Sequence, residues 1–409
     1  MKCRFCGSEA RLPFVDLASA PPSNSYLTAD QLDAPEVYFP LRVFVCESCW
    51  LVQADEYRRS NEIFDARYAY FSSFSSSWLQ HCRNYVQTII RRLSLGHNSF
   101  VVEVASNDGY LLQYFKEMGI PCLGVEPTAS TAAAARDKGV ETVEAFFGMD
   151  CARRLVADCG HADLMLGNNV LAHVPGINDF VEGFRIALKP HGTVTFEFPH
   201  LLNLIRLNQF DTIYHEHFSY LSFTAVRAIL AAHGLTVYDV WELPTHGGSL
   251  RVFARHEGNA ALPVLPAVDI LELAEVDAGL RSSAGFRGFQ EKTDRIRSET
   301  LMFLHECRAS GRRVAAYGAA AKGNTLLNYC GIKGNELIAY VVDRSPHKQG
   351  LFLPGSHIPI VAEERLRETR PDIVLILPWN LRDEIAAQLA YAREWGARLA
   401  VCVPSLEVF

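Results

Sequence analysis

The sequence predicts an α/β protein in which a small cysteine-rich module precedes two Rossmann-like α/β domains. Three observations support this fold class: two Cys-x-x-Cys pairs near the start of the chain, alternating strand and helix patterns over residues 100–255, and a second such series over residues 313–403. Strands that alternate with helices favour a parallel sheet covered by helices on both faces. The length of 409 residues accommodates two or three domains at about 150 residues each.

The composition is that of an ordinary globular protein, and it limits the classes of partner. Apolar residues make up 49% of the chain and charged residues 21%, which excludes disorder as its overall state. The formal net charge of −7 argues against nucleic-acid binding. An apolar run of about 18 residues and a secretory signal are both missing, which predicts no membrane partner. With eleven cysteines, these features predict a cytoplasmic protein, present as a monomer or a small homo-oligomer.

The two cysteine pairs predict a structural zinc site in residues 1–65. Cys3 and Cys6 form the first pair, and Cys46 and Cys49 form the second. Two residues between a pair of thiolates let both sulfurs face one ion, and four thiolates complete a tetrahedral Zn²⁺ site with no open position. Metal binding would help to fold a module that is too small to bury its own core. The alternative for these cysteines is redox or disulfide pairing.

Polar residues at strand ends predict a nucleotide-like site in residues 66–265. In chain order they are Glu103, Ser106, Asn107, Asp108 and Gly109 around the first strand, Glu126 after the second, and Asn168 and Asn169 after a later strand. The carboxyl ends of parallel strands meet at one edge of a sheet, beside helix N-termini with unpaired amides. The glycines of the dinucleotide fingerprint are incomplete in this segment, so the set favours a different adenosine cofactor over NAD. The alternative for each acid is a helix cap or a surface charge.

Four consecutive functional side chains, Tyr214, His215, Glu216 and His217, form a candidate acid–base cluster. A histidine with a pKa of about 6.5 suits a general base at neutral pH. Tyrosine can donate to a developing oxyanion, and glutamate can orient a neighbouring group. The alternatives are a polar helix cap and, for the two histidines, metal ligation from one face of a strand.

A small-residue turn opens the second α/β series, in residues 266–409. Residues 318–323 follow a strand, Lys322 lies in the turn, and Asn324 begins the next helix. Small residues allow a backbone to approach a phosphate, and lysine adds positive charge. The alternative is a glycine-rich turn that serves close packing. Residues 268–310, upstream of this turn, are predicted to be a helical connector.

These motifs, together with residues 247–251 and 317–324, resemble the S-adenosylmethionine-dependent sugar C-methyltransferases over nearly the whole chain. Within that family the sequence is most similar to C-3 methyltransferases of dTDP-4-keto-deoxysugars, which make branched antibiotic sugars. The resemblance implies a zinc-binding module, a class I methyltransferase core in residues 66–265, and a C-terminal Rossmann-like domain that contributes to the nucleotide-sugar site. It also implies S-adenosylmethionine and structural Zn²⁺ as cofactors, and a dTDP-linked 4-keto-deoxysugar as substrate.

The resemblance further implies roles for single residues. The turn after the first strand would hold the methionine part of the cofactor, and Glu126 would hold its ribose. His217 would remove the C-3 proton beside the ketone, which yields an enolate. Tyr214 would donate a proton or stabilise the enolate, and Glu216 would position a neighbouring group.

Family positions at the catalytic cleft also match His173 and Tyr68, and the substrate diphosphate would lie near Lys322 and Asn324. Three other functions stay open at this stage: methylation at C-5, O- or N-methylation on the same scaffold, and a non-catalytic zinc-dependent interaction module. The sequence assigns no role to His246.

Overall fold

The structure is a computed structural model that describes residues 1–57 and 71–409. The strands of the described residues are β1 (Leu12–Ala20), β2 (Phe39–Val45), β3 (Val52–Ala54), β4 (Val101–Val104), β5 (Cys122–Val125), β6 (Thr142–Val143), β7 (Ala162–Asn168), β8 (Leu188–Pro199), β9 (Ser219–Tyr220), β10 (Leu235–Leu243), β11 (Ser249–His256), β12 (Val314–Tyr317), β13 (Val341–Val342), β14 (Ile360–Val361), β15 (Ile373–Ile376), β16 (Arg398–Val401) and β17 (Glu407–Val408). The α-helices are α1 (Ser76–Leu93), α2 (Leu112–Glu117), α3 (Ala129–Asp137), α4 (Met149–Cys159), α5 (Ile177–Ala187), α6 (Leu201–Arg206), α7 (Phe223–Ala232), α8 (Pro266–Asp277), α9 (Phe289–Ala309), α10 (Ala321–Tyr329), α11 (Glu364–Thr369) and α12 (Arg382–Gln388).

The N-terminal module is built on an antiparallel sheet with the strand order β1-β2-β3-β9. Its last strand, β9, comes from much later in the chain, and Val52 and Gln53 lie opposite Tyr220 and Ser219. The module therefore shares its sheet with the residues that directly follow the tyrosine–histidine–glutamate–histidine segment.

The central sheet has the order β10-β11-β8-β7-β4-β5-β6, and this arrangement confirms the predicted class I methyltransferase core. Strands β6, β5, β4, β7 and β8 are mutually parallel, whereas β11 is antiparallel to both β8 and β10. Residues 101–104 are buried on both faces of β4, because helices cover both sides of a parallel sheet.

The C-terminal sheet has the order β14-β13-β12-β15-β16-β17, and its strands are parallel except for β17. The order reverses between β12 and β15, which creates a crevice at the carboxyl ends of these strands. Gly318 follows β12 with a φ of 91°, and a Cβ atom there would lie 2.5 Å from Pro378 Cδ. The turn therefore needs glycine both for its backbone conformation and for its close approach to the neighbouring strand end.

The connector was predicted to be one helix over residues 268–310, but the structure divides it. It consists of α8 and α9, and residues 278–288 separate them. Gly279 and Gly288 adopt φ values of 81° and 77°, and a Cβ on Gly285 would lie 2.6 Å from the Gly279 carbonyl carbon. A left-handed backbone and this close crossing interrupt the helical ladder.

The three segments pack on one another through shared apolar clusters. One cluster joins Phe14 of the N-terminal module to Phe289 of α9 and Val314 of β12. Another joins Leu51 of the module to Val104 and Phe198 of the central sheet. The N-terminal module therefore packs against both α/β segments. Within the described ranges, the structure contains no helix with the length and apolarity needed to cross a bilayer.

Candidate active site

His217 lies between the short helix Phe210–Thr212 and β9, and is 9% exposed. Its Nδ1 atom lies 2.8 Å from the carbonyl oxygen of Thr212. A carbonyl only accepts hydrogen bonds, so Nδ1 carries the ring proton and donates it. In the neutral imidazole, Nε2 is then the atom with the lone pair, and it is the atom available to take up a proton.

Tyr214 and His173 surround the His217 ring. The Tyr214 ring centroid lies 4.0 Å from that of His217, and the His173 ring meets it edge-on at 4.5 Å. His173 Nδ1 lies 2.8 Å from the carbonyl oxygen of Glu216, so it also donates from Nδ1. The structure thus brings together three of the residues that the sequence predicted to be catalytic.

Both imidazoles are held in their neutral form. Burial lowers the pKa of His173 to about 4. Burial also lowers the pKa of His217 well below its ordinary value, and the proximity of His173, Lys322 and His246 disfavours a second positive charge there. A neutral His217 is present as a base throughout the neutral pH range.

The other two residues of the candidate acid–base cluster, His215 and Glu216, face the N-terminal module. His215 Nε2 lies 3.3 Å from the carbonyl oxygen of Phe39. Glu216 Oε1 accepts a hydrogen bond of 3.1 Å from Asn24 Nδ2. The rings of His215 and His217 are therefore directed at different carbonyl groups rather than at a common ligand. The predicted catalytic residue Tyr68 lies outside the described residues.

The turn after β4 is shaped by hydrogen bonds to the acid that follows β5. Glu126 accepts hydrogen bonds from the backbone amides of Asn107 (2.9 Å) and Thr128 (3.0 Å), and from the hydroxyl of Thr131 (3.0 Å). Burial raises the pKa of Glu126, and these hydrogen bonds oppose that rise. Gly109 has a φ of 73°, and a Cβ there would lie 3.1 Å from Val140 Cγ2.

Several buried polar atoms beside this turn fit a polar ligand. Ser106 Oγ and both side-chain polar atoms of Asn168 have no hydrogen-bond partner in the described part of the chain. Asp108 forms a salt bridge of 2.9 Å with Lys138. Glu103 is completely buried in β4, and burial raises its pKa well above the ordinary value. The hydroxyls and amines of an adenosine cofactor would satisfy such unpaired groups.

Lys322 belongs to the C-terminal domain and extends from α10. Its Nζ donates to Asn380 Oδ1 (2.9 Å) and lies 4.8 Å from the ring centroid of Trp379. Trp379 Nε1 donates to Asp211 Oδ2 (2.7 Å). Burial lowers the pKa of Lys322 to about 8 and raises that of Asp211 to about 6. Asn324, two residues further along α10, is fully buried, and neither polar atom of its side-chain amide has a hydrogen-bond partner within the described ranges.

A buried charge network was not predicted from the sequence. Glu197 in β8 accepts hydrogen bonds from His81 Nε2 (2.9 Å), Thr245 Oγ1 (2.9 Å) and the guanidinium of Arg251. Burial opposes ionisation, but the Arg251 charge and the other hydrogen bonds lower the pKa of Glu197 to about 2. Two features of the sequence could have indicated this network. One is an acid, Glu197, inside an apolar strand, and the other is the arginine of the 247–251 motif, Arg251.

His246 joins this network to the strand end after β7. Its Nε2 lies 3.1 Å from Asn169 Nδ2, and its ring centroid lies 5.3 Å from that of Trp78. Trp78 in turn stacks on His81 at 5.1 Å. The backbone of His246 has a φ of 54°, a conformation that non-glycine residues rarely adopt. These contacts place His246 beside the predicted cofactor residues.

The four predicted metal ligands come together at the base of the N-terminal module. All four sulfurs lie within 4.8 Å of one another, and two pairs, Cys3 with Cys49 and Cys6 with Cys46, are 3.5 Å apart. Zn–S bonds of about 2.3 Å in a tetrahedron require sulfur separations of about 3.8 Å. The cluster therefore fits Zn²⁺, and two matched turns that end in Gly7 (φ 75°) and Trp50 (φ 61°) hold the cysteines in place.

Family models match three consecutive parts of the chain. Residues 3–64 match a model described as "Putative zinc binding domain", residues 78–240 a "Methyltransferase domain", and residues 244–404 a "C-methyltransferase C-terminal domain". With the fold, these matches define a methyltransferase of the class I S-adenosylmethionine-dependent type that carries an N-terminal zinc-binding module. The predicted cofactors, S-adenosylmethionine and structural zinc, are confirmed at this level, as is the prediction that the protein is a methyltransferase.

The chain is 36% identical over 407 residues to the C-methyltransferase NovU of Streptomyces niveus, and the match covers 100% of this chain and 96% of NovU. The protein therefore belongs to the C-methyltransferase family, as the resemblance implied. Among solved structures, PH0226 from Pyrococcus horikoshii OT3 matches at 15% identity with a TM-score of 0.39, over 46% of this chain and 94% of that one. Magnesium protoporphyrin IX methyltransferase from Synechocystis PCC 6803 with bound SAH matches at 15% identity with a TM-score of 0.34, over 43% and 81%.

Proposed function

We propose that this C-methyltransferase transfers a methyl group from S-adenosylmethionine to C-3 of a dTDP-linked 4-keto-deoxysugar, with His217 as the base. The observation that carries the proposal is the 2.8 Å contact between His217 Nδ1 and the Thr212 carbonyl oxygen. It leaves Nε2 as the proton acceptor on a ring that burial keeps neutral. Removal of a proton from a carbon beside a ketone requires a general base within reach of that proton.

The residues around His217 have distinct proposed roles. Nε2 of His217 takes the C-3 proton while Nδ1 keeps its hydrogen bond to Thr212. Tyr214, whose ring lies 4.0 Å from that of His217, donates a hydrogen bond to the enolate oxygen. His173 supports the base from its other side. Glu216, held by Asn24, positions the segment.

The cofactor and the substrate nucleotide are proposed to bind on opposite sides of this base. When bound, S-adenosylmethionine supplies an electrophilic methyl group. Residues of the β4 turn orient its methionine part, Glu126 accepts hydrogen bonds from its ribose, and Asn168 and Asn169 line its other side. The substrate diphosphate binds in the region of Lys322 and Asn324. A dianionic substrate beside Lys322 would also counter the charges that hold the pKa of His217 down.

Replacing Glu126 with glutamine is expected to weaken cofactor binding by about tenfold to a hundredfold, because a carboxylate makes stronger hydrogen bonds to hydroxyls than an amide does. Isothermal titration with S-adenosylmethionine measures the dissociation constant. Glu141→Gln is the matched control, since Glu141 is an exposed acid just before the neighbouring strand β6. An unchanged dissociation constant for Glu126→Gln would remove Glu126 from the cofactor site.

The ketone of the substrate separates C-methylation from the alternatives. We expect a dTDP-4-keto-deoxysugar to be methylated on carbon and its reduced 4-hydroxy analogue to be unreactive, because only the ketone acidifies the neighbouring C–H bond. Mass spectrometry detects the added methyl group, and NMR of the product locates it at C-3 or C-5. Methylation of the 4-hydroxy analogue would instead indicate an O- or N-methyltransferase.

A further inference from the structure

Arg4 extends from the zinc module to the segment that carries His217. It lies between the zinc-cluster residues Cys3 and Cys6, and its guanidinium donates to the carbonyl oxygens of Phe218 and Ala54, the latter at 3.0 Å. The guanidinium carbon lies 5.4 Å from the Phe218 ring centroid. Hydrogen bonds from a charged donor are roughly twice as strong as neutral ones, so these contacts tie the two segments firmly together.

Phe218 is also the residue that connects the two histidines of the site. Its amide donates to the carbonyl oxygen of Ala172 (2.8 Å), and its carbonyl accepts from the amide of Ala54 (3.1 Å). Phe218 directly follows His217, and Ala172 directly precedes His173. A displacement of the Phe218 backbone would therefore move both imidazoles relative to each other and to the cleft.

We propose that Arg4 is a positioning residue that transmits the geometry of the zinc cluster to His217 and His173 through the backbone of Phe218. This inference rests on the proposed function of His217. Cys3 and Cys6 fix the turn that contains Arg4, because Gly7 N donates to Cys3 O (2.9 Å) and both sulfurs face the metal position. The zinc cluster thus acts on the reaction by placing the base, without touching the substrate.

The alternative, that Arg4 only stabilises the module, makes different predictions for kcat and for local structure. A misplacement of about 1 Å at a reacting group can cost about a hundredfold in rate. Arg4→Met is expected to lower kcat by about tenfold to a hundredfold, with KM, cofactor affinity and zinc content unchanged. Amide hydrogen exchange of residues 215–220 should accelerate, and chelation of zinc from the wild-type protein should accelerate the same amides.

The experiment compares Arg4→Met with Arg11→Met, because Arg11 is an exposed arginine in the same module that pairs with Glu9. Arg4→Lys keeps the charge without the planar fork, and we expect its kcat to fall between those of wild type and Arg4→Met. If Arg4→Met does not fold, Arg4→Lys measured in the same way decides the question. The inference would be overturned if the folded Arg4 variant had the kcat of the wild-type protein and if its amides in residues 215–220 exchanged at the wild-type rate.

A parallel measurement on His217→Ala separates this inference from the proposed function. If His217→Ala retains the wild-type rate, the role of His217 as base is wrong, and the exchange of residues 215–220 still tests the contact made by Arg4. If His217→Ala is inactive while Arg4→Met matches Arg11→Met in both readouts, the base assignment stands and the positioning role of Arg4 is wrong.

Discussion

Replacement of His217 with alanine is expected to lower kcat for methylation by about a hundredfold to ten-thousandfold, the range typical of a lost general base. The expected loss is in kcat because Nε2 of His217 takes up the substrate proton only as the C–H bond breaks. The cofactor dissociation constant should stay at its wild-type value, since the imidazole lies beside Tyr214 and His173 rather than in the β4 turn. Single-turnover methylation and isothermal titration give the two quantities separately.

His215→Ala is the matched control for this substitution. It removes the same type of side chain two residues away, but His215 faces the carbonyl of Phe39 in the N-terminal module. We expect His215→Ala to retain most of the wild-type kcat. Equal losses in the two variants would indicate that the whole segment has shifted, and full activity of His217→Ala would contradict its role as base.

Replacement of Arg251 with methionine is expected to lower the free energy of unfolding by about 3–5 kcal/mol, because it leaves the carboxylate of Glu197 buried without its main counter-charge. Glu197 is 0% exposed and Arg251 is 2% exposed, so water cannot replace the lost contact. Urea unfolding followed by circular dichroism measures the difference. Arg153→Met is the control, since the Arg153–Asp150 pair is on the surface and should change stability by less than about 1 kcal/mol.

The same pair predicts the direction of the pH dependence. The pKa of Glu197 is lowered from 4.5 to about 2 in the folded protein, so the folded state favours the ionised carboxylate. The lowered pKa contributes about 3 kcal/mol to the free energy of unfolding. This stabilisation is fully present above pH 4.5 and is lost as the pH falls from 4.5 towards 2. The wild-type protein should therefore lose more stability over this window than Arg251→Met does. Identical acid profiles for the two proteins would show that Arg251 does not hold Glu197 ionised.

Sequence patterns predicted the parts of the site that lie close together along the chain. The acid Glu126 follows a strand of a parallel sheet, and strand order alone places it at the sheet edge near residues 106–109. The cysteine pairs were also predictable, because two residues between thiolates constrain both sulfurs to one ion. In each case a short motif could be recognised within one segment, and a general rule, the common edge of parallel strands or the shared ion, brought the separate motifs together.

Contacts between distant segments could not be predicted in this way. Glu197 meets His81 and Arg251 because strands β8 and β11 are adjacent while α1 packs across them, and no local spacing encodes that arrangement. The pairing of β3 with β9 could not be predicted either, because β9 has only two residues and shows no strand pattern in the sequence. The connector helix was predicted too long because apolar periodicity continues on both sides of Gly279 and Gly288, whose left-handed backbone interrupts it.

The central claim is that His217 removes a proton from the carbon beside the ketone. Incubation of enzyme and dTDP-4-keto-deoxysugar in deuterated water, with S-adenosylhomocysteine in place of the methyl donor, isolates that step from methyl transfer. We predict that NMR will show deuterium entering at C-3 with the wild-type enzyme, and exchange no faster than the enzyme-free background with His217→Ala. Exchange at the wild-type rate in His217→Ala would contradict the claim.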